Sequence, residues 1–478
     1  MLPFQADTLH GALQRWCDAA PQAPMLELGA RRLTRSEFDN AVFRRQTELQ
    51  TKGVTEQSLV AWLGHNSIEM LTTLVACSRL QAVFLPLNWR LAPVELAATA
   101  RHAGATHLLG SPELQALREA VRSNLALSQA PVAGVQQADL LLVYTSGTSG
   151  QPKGAMHTQS GVLTNALAAI ASQDLDKDTR ALAVLPMFHM GGLCIQTLPT
   201  LLAGGVVRLQ ARFDVDAWLA EVQQWQPNTS LLVPAIMRAL VTHPGWPGAD
   251  LSSLRFINCG SQIVPLAMIG AFHAKGVPVA QVYGSTESGP VSIALHPDDA
   301  MQHAGWVGRA ALNVSVQLAP DGEILLRAPN LLRCYHRHAS ATFDAEGWFH
   351  TGDLAEQAAN GMFRVLGRSS ELIISGGENI HPAEVEELIT TLPFVAECAV
   401  LALPHAQWGE VPVLALVLRD AFVFSPSELQ ALLHAKLARF KHPHQVAVLP
   451  SLPKTALDKV QKAELARNPC WRIEALGS

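Results

Sequence analysis

The chain has 478 residues, a formal charge of −5 and a pI of about 6.4, so no charge excess marks a nucleic-acid surface. Hydrophobic residues make up 49 %, which suits a sizeable core and argues against disorder, and the length predicts two or three domains. No apolar run approaches the roughly 18 residues of a membrane span, and the first seven residues lack the basic and apolar regions of a secretory signal.

Taken in order, residues 8 to 50 read as helical, because Leu9, Leu13, Trp16 and Cys17 recur at helical spacing. Ser58 to Leu63 reads as a strand, Ile68 to Leu80 as a helix and Ala82 to Leu87 as a strand. A helix over Pro93 to Ala103 precedes the strand Thr106 to Leu109. This alternation predicts an α/β fold with a doubly wound parallel sheet. Ser111 to Gln137 is polar and weakly patterned, as in surface structure. Strands at Leu140–Val143, Ala181–Leu185, Gly205–Leu209, Ser230–Val233, Leu254–Asn258 and Val277–Tyr283 follow. They are interleaved with helices at Leu193–Leu202, Asp214–Gln226 with Asp214 as N-cap, Pro234–His243 and Pro265–Lys275. Strands dominate Val307 to Val365, as in a small β subdomain. Residues 371 to 478 read as a small α+β unit, with strands at Ala399–Leu403, Val413–Leu418 and Val446–Leu449 and a helix over Ser425–Phe440.

The seven cysteines are scattered without a Cys-x-x-Cys pair, and the 18 histidines form no ligand-spaced cluster. They predict buried thiols of a reducing, cytoplasmic compartment rather than disulfides or zinc.

The most informative stretch runs from Tyr144 to Gly154, Tyr-Thr-Ser-Gly-Thr-Ser-Gly-Gln-Pro-Lys-Gly, directly after an apolar strand. After Tyr144, three glycines, four hydroxyl residues and Lys153 offer open backbone N–H groups, hydroxyl donors and one mobile cation, the parts of a polyphosphate cradle. The common P-loop is excluded, because Gly154 stands where that motif needs Ser or Thr. In Gln281-Val-Tyr-Gly-Ser-Thr-Glu287, Tyr283 can stack on a base, Thr286 can hydrogen-bond a phosphate and Glu287 offers a hard carboxylate suited to Mg²⁺. Asp353, in Trp348-Phe-His-Thr-Gly-Asp, can accept both hydroxyls of a ribose diol, and Arg368 follows a strand nearby.

These stretches resemble, in the right order and over nearly the whole chain, the signatures of the acyl-adenylate-forming ligases, which include acyl-CoA synthetases, amino-acid adenylation domains and luciferases. The resemblance implies an N-terminal domain over 1–368 holding the ATP and acyl sites, and a mobile C-terminal domain over 369–478. It implies ATP, coenzyme A and Mg²⁺ as cofactors, with a carboxylic acid as substrate. Thr145, Ser146, Gly147, Thr148 and Lys153 then hold the phosphates, and Glu287 the metal. Gly260, Ser261 and Gln262, in Asn258-Cys-Gly-Ser-Gln, match the adenine-side loop together with Tyr283, Gly284 and Thr286. Asp353 and Arg368 match the ribose ligands. His189, in Pro186-Met-Phe-His-Met, lies at the junction of acyl pocket and nucleotide. Gly260, Cys194, Val233 and Met237 fall on the acyl pocket.

In the C-terminal part, Gly376 and Gly377 would line the pantetheine passage, and Trp408, Phe440 and Lys441 match contacts to the CoA nucleotide. Two positions depart from the common pattern: Ser370 stands at the hinge, where Asp or Lys is usual, and His442 stands where arginine is frequent. Leu452-Pro-Lys-Thr-Ala-Leu-Asp-Lys459 resembles the final motif, whose lysine drives adenylation. Lys459 is therefore the catalytic candidate, with Lys454 and Lys462 expected as solvated neighbours.

The resemblance implies two half-reactions, a carboxylate attacking the α-phosphorus of ATP and then a CoA thiol attacking the acyl-AMP. Two alternatives stay open at this point: an acyl- or aminoacyl-adenylating enzyme with another acceptor, and a catalytically silent nucleotide-binding regulator. Met187 to Gln196 contains no acid to hold a substrate ammonium, which counts against amino-acid activation. The apolar residues Leu193, Ile195 and Ile236 beside the pocket positions predict an uncharged aromatic or medium-chain acid. The oligomeric state stays open, a homodimer included.

Overall fold

The structure, a computed structural model, describes residues 7–128, 134–145, 153–338, 341–454 and 460–467. The chain divides into two compact units. The first comprises Met1–Ser261, Gly270–Val316 and Leu326–Phe349, the second Gln262–Ile269, Gln317–Leu325 and His350–Ser478. The hinge position expected at Ser370 falls within the second unit.

The first unit is α/β and holds two large sheets. One has six strands in the order Cys334–Tyr335, Lys153–Thr158, Asp139–Thr145, Val83–Leu87, Leu59–Leu63 and His107–Gly110. The last four run parallel. Leu59–Leu63 and Val83–Leu87 are buried at every position, so they read as continuous apolar runs rather than alternating ones. Asp139–Thr145 and Lys153–Thr158 pair antiparallel, setting Thr145 opposite Lys153 at the two ends of the phosphate-loop sequence.

The second sheet has nine strands: Arg309–Ala310, Ile293–Ala294, Val279–Tyr283, Phe256–Cys259, Thr229–Leu232, Arg180–Ala183, Val206–Leu209, Pro24–Leu28 and Arg31–Thr34. This sheet corrects the reading of residues 8 to 50 as wholly helical. A hairpin, Pro24–Leu28 with Arg31–Thr34, separates helix Leu9–Ala19 from helix Arg35–Thr51. Its first strand pairs in parallel with Val206–Leu209, a partner some 180 positions away that local periodicity cannot reveal. Likewise the weakly patterned stretch after Ser111 contains a helix, Gln115–Ser123. Where the signals are local the expectations hold: the Asp214 side chain accepts the Ala217 N–H at 2.8 Å, and the Ser425 hydroxyl accepts that of Glu428.

A buried ion pair fixes the edge of the six-stranded sheet. Asp139 is fully buried and accepts from Arg333 Nε at 2.8 Å, Arg333 Nη2 at 2.7 Å and the Gln136 N–H at 2.8 Å. A carboxylate this deep requires such partners, and removing one typically costs about 3–5 kcal/mol. The pair locks strand Cys334–Tyr335 against strand Lys153–Thr158 and so sets the position of Tyr335.

Strand Phe349–Gln357, which belongs to the second unit from His350 onward, forms an antiparallel hairpin with Phe363–Arg368. A further sheet joins Glu378–Ile380, Ile373–Ser375, Gly409–Leu418 and Val395–His405, with Gln445–Val448 added in parallel to Gly409–Leu418. Helices Pro382–Ile389 and Pro426–Lys436 pack Val385, Ile389, Leu429 and Leu433 into its core. Among the described residues no helix is long and apolar enough to cross a membrane.

Candidate active site

Four adjacent parallel strands of the nine-stranded sheet end at sequence-selected residues. Arg180–Ala183 leads to His189, Thr229–Leu232 to Val233 and Met237, Phe256–Cys259 to Gly260, and Val279–Tyr283 to Gly284, Thr286 and Glu287. In an open α/β sheet the carboxyl ends of the strands form the crevice where ligands bind. Gly260 is required there by close approach, since a Cβ would lie 2.5 Å from the Val282 carbonyl oxygen. Ser261 follows with φ of 75°, and Gln262 falls in the second unit.

The loop after Tyr283 is stiffened by its own hydroxyls. The Ser285 N–H donates to Ser288 Oγ at 2.8 Å and the Ser288 N–H to Ser285 Oγ at 3.2 Å. The Glu287 carbonyl accepts the Leu332 N–H at 2.7 Å. The half-buried Glu287 carboxylate then receives two long hydroxyl contacts on Oε1, from Tyr335 at 3.3 Å and Thr145 at 3.5 Å. Lys153 places its ammonium 5.3 Å from the centre of the Tyr335 ring, within cation–π range. Thr145, Lys153, Glu287 and Tyr335 thus meet around one point, although they come from three separated stretches of sequence. Contacts this long orient the carboxylate without saturating its lone pairs, so it keeps capacity for a hard divalent cation. Ser146, Gly147 and Thr148 lie outside the described residues.

The sequence reading passed over Tyr335. A signal was present: the chain has only three tyrosines, and Tyr144, Tyr283 and Tyr335 all sit on strands bordering this point. Tyr144 contacts His102 Nδ1 through its hydroxyl at 2.6 Å, and burial raises its phenol pKa.

Of the residues expected at the acyl pocket, His189 lies beside Phe188 with ring centres 4.2 Å apart, and its carbonyl accepts the Leu193 N–H. Cys194 is buried with Sγ 3.9 Å from Met190 Sδ, and Met237 is buried with Sδ 3.2 Å from Cys259 Sγ. Burial pushes the Cys194 thiol up to about 12, so it is an inert, polarisable group rather than a nucleophile.

In the second unit, Asp353 and Arg368 are directly opposite in the hairpin, and Arg368 Nε donates to Asp353 Oδ1 at 2.7 Å. One acceptor and one donor group therefore stand side by side, as recognition of a vicinal diol requires. Gly376 and Gly377 have φ of 60° and 90°, so the turn itself calls for glycine at both. A Cβ on Gly376 would come 2.7 Å from the Trp408 indole, which packs over it, whereas among the described residues nothing lies within 4 Å of the corresponding point at Gly377. Trp408 and Phe440 are exposed. Lys441 is paired with Glu384 at 2.7 Å, and His442 Nε2 contacts the Leu437 carbonyl at 3.1 Å. Ser370 is exposed in the turn Ser369–Glu371.

Lys459 lies outside the described residues. Its two neighbours are not the solvated cations expected. Lys454 pairs with Glu397 at 2.8 Å. Lys462, with only 21 % of its side chain exposed, sits between Glu386 at 2.9 Å and Glu371 at 3.1 Å. Burial works against the Lys462 charge, but Glu386 and Glu371 outweigh it and hold the pKa above its ordinary value.

Residues 13–336 match the sequence profile of the AMP-binding enzymes and residues 384–459 that of the AMP-binding enzyme C-terminal domain. The chain is 39 % identical to the indoleacetate–CoA ligase of Aromatoleum aromaticum, covering 95 % of this chain and 97 % of that protein. It is 36 % identical to a feruloyl-CoA synthase of Amycolatopsis, covering 94 % and 96 %. Among solved structures it is similar to the o-succinylbenzoate CoA synthetase of Bacillus subtilis in complex with its acyl-adenylate, with a TM-score of 0.85, 28 % identity and coverage of 96 % and 99 %. The chain belongs to the AMP-binding enzymes, the superfamily of acyl-adenylate-forming ligases.

Proposed function

We propose that the protein is an AMP-forming acyl-CoA ligase for an aromatic acid that carries no charge besides the reacting carboxylate. The observation that carries this reading is the meeting of Thr145, Lys153, Glu287 and Tyr335 at the strand ends, in a chain that shares nearly its full length with aromatic-acid CoA ligases. A carboxylate substrate is already ionised, so the first step needs no protein nucleophile. What it needs is alignment with the α-phosphorus and neutralisation of phosphate charge. Thr145 and Lys153, with Ser146, Gly147 and Thr148, bind the phosphates, and Lys459 adds a second cation for the adenylation step. Glu287 fits a divalent cation by its hard oxygens and unsaturated hydrogen bonding, and Mg²⁺ held there would supply further charge neutralisation. Asp353 and Arg368 hold the ribose, Gly260, Ser261, Gln262, Tyr283 and Gly284 border the adenine, and Thr286 reaches the α-phosphate. His189, Cys194, Val233, Met237 and Gly260 enclose the acyl group.

For the second step, Trp408 offers an exposed indole face to the CoA nucleotide, with Phe440 and Lys441 beside it, and the thiol arm passes Gly376 and Gly377. Lys441 can serve only by exchanging its Glu384 partner for a phosphate, whose larger negative charge attracts an ammonium more strongly.

A panel of carboxylic acids, assayed by pyrophosphate release and by acyl-CoA formation, tests the proposal. An arylacetic or cinnamic-type acid is expected to give the highest kcat/KM, with thioester as product. A dicarboxylate as best substrate, or acyl-AMP without thioester, would overturn it.

A further inference from the structure

The wall that follows His189 is a helix with a fault built into it. Residues 190–203 are helical, but Gly192–Thr197 within them are wound as a π-turn. The cause is in the sequence. Pro199 has no N–H and its ring collides with the carbonyl four residues back, that of Ile195. The Leu198 N–H donates five residues back, to Leu193, instead of to Cys194. Two successive carbonyls, Cys194 and Ile195, are thereby stripped of their helical donors in a segment buried at every position. Each would cost about 1–3 kcal/mol if left unpaired.

Both are captured by carboxamides from one helix, Gln159–Gln173. Asn165 Nδ2 donates to the Cys194 carbonyl at 2.7 Å, and Gln173 Nε2 donates to the Ile195 carbonyl at 2.9 Å. Both side chains are buried, and each has its other end engaged at the site. Asn165 Oδ1 accepts the Val291 N–H at 3.1 Å, just beyond the Glu287 loop. Gln173 Oε1 accepts from Asn258 Nδ2 at 2.5 Å, on the strand that leads to Gly260. The Thr197 hydroxyl adds a bond to the Gly192 carbonyl at 2.8 Å. Gly192 itself admits no side chain, because a Cβ would lie 2.4 Å from the Pro186 carbonyl oxygen. Single π-turns inside α-helices recur at functional sites, since the extra residue re-aims the side chains around it.

We propose that this π-turn is a specificity determinant of the acyl pocket, created by Pro199 and held by Asn165 and Gln173. The inference rests on the acyl-ligase reading above. The turn sets the direction of Leu193, Cys194 and Ile195, and hence the width of the pocket they wall. The two carboxamides anchor that wall through the Val291 N–H and the Asn258 amide.

The test is a specificity profile with benzoate, phenylacetate, indole-3-acetate and octanoate, run on the wild type, Pro199→Ala and Gln173→Met. Pro199→Ala restores the missing N–H and lets the turn relax toward α geometry. Gln173→Met keeps length and removes the donor to Ile195. Both are expected to change the ratio of kcat/KM between the bulkiest and smallest acids by about tenfold, with KM for ATP within about twofold. Should Pro199→Ala fail to fold, Gln173→Met decides alone. Uniform loss across all four acids in the variants, or a profile identical to wild type, would overturn the proposal. Failure of the wild type to release pyrophosphate with any carboxylic acid would instead overturn the ligase reading.

Discussion

The two units hold their functional charges in opposite ways. In the first, among the described residues, Glu287 receives the neutral hydroxyls of Thr145 and Tyr335, and Lys153 rests over the Tyr335 ring. In the second, charges are compensated directly: Asp353 by Arg368, Lys441 by Glu384, Lys454 by Glu397, and Lys462 by Glu371 and Glu386. A group held by hydroxyls keeps its full charge for a metal or a phosphate. A group held by a counter-ion gives a fixed direction and must exchange partners to bind anything charged. On the reading proposed above, the difference separates sites that would receive charge from sites that would receive a diol or that organise the chain.

The sharpest test of that division concerns the three lysines of the last motif, because the two that are described are already engaged in ion pairs. Lys459→Ala is expected to lower acyl-AMP formation by about 10²–10³ and to leave thioester formation from supplied acyl-AMP within about threefold. Equal loss in both half-reactions would remove Lys459 from the phosphate step. Next in size, Glu287→Gln keeps the shape and the hydroxyl contacts but removes the charge. Pyrophosphate release should fall by about 10², with a higher Mg²⁺ concentration needed for half-maximal rate, and an unchanged Mg²⁺ titration would place the metal elsewhere.

On the ion-paired side, Asp353→Ala removes the proposed ribose acceptor and leaves the Arg368 guanidinium without its carboxylate. Charged hydrogen bonds of about 1.5–3 kcal/mol predict a 10- to 100-fold rise in KM for ATP, and calorimetry showing wild-type ATP affinity would exclude this ribose site.

A smaller effect follows from two buried imidazoles that border the hydroxyl-held site. Burial lowers the pKa of His157 to about 4 against the Thr286 backbone and Asp139, and that of His336 to about 4 against the Ala103 carbonyl. An unfolded imidazole titrates near 6.5. Between about 6.5 and 4 the unfolded chain therefore binds more protons than the folded one. Stability is full above this window and is lost as pH falls through it, by about 1 kcal/mol per histidine at pH ~5.5. Urea melts of the wild type and His157→Gln across that range measure it, and identical pH slopes would rule out His157. The smallest effect is expected from Gly376→Ala, which places a Cβ against Trp408 at positive φ. About 1 kcal/mol is lost, a fall of 2–4 °C in Tm, together with a higher KM for CoA and unaltered adenylation. A fall in adenylation would tie this turn to the ATP site instead.

The sequence by itself determined whatever depends on neighbours in the chain. The caps Asp214 and Ser425, the apolar strands around Phe84 and Leu142, and the order of the signature stretches were legible because residue type and spacing carry them. Even the cause of the π-turn, Pro199, is a local fact. Only the tertiary structure decided who answers these local demands. The donors to Cys194 and Ile195 come from 29 and 22 positions away, Tyr335 reaches Glu287 across 48, and Lys462 finds Glu386 and Glu371 on other elements. The hairpin strand Pro24–Leu28 likewise owes its form to a distant strand. A buried carbonyl or charge must be paired at a cost of kcal/mol if it is not, but any donor or counter-ion of the right chemistry will do. The requirement is therefore written in the sequence, and the partner is chosen by the fold.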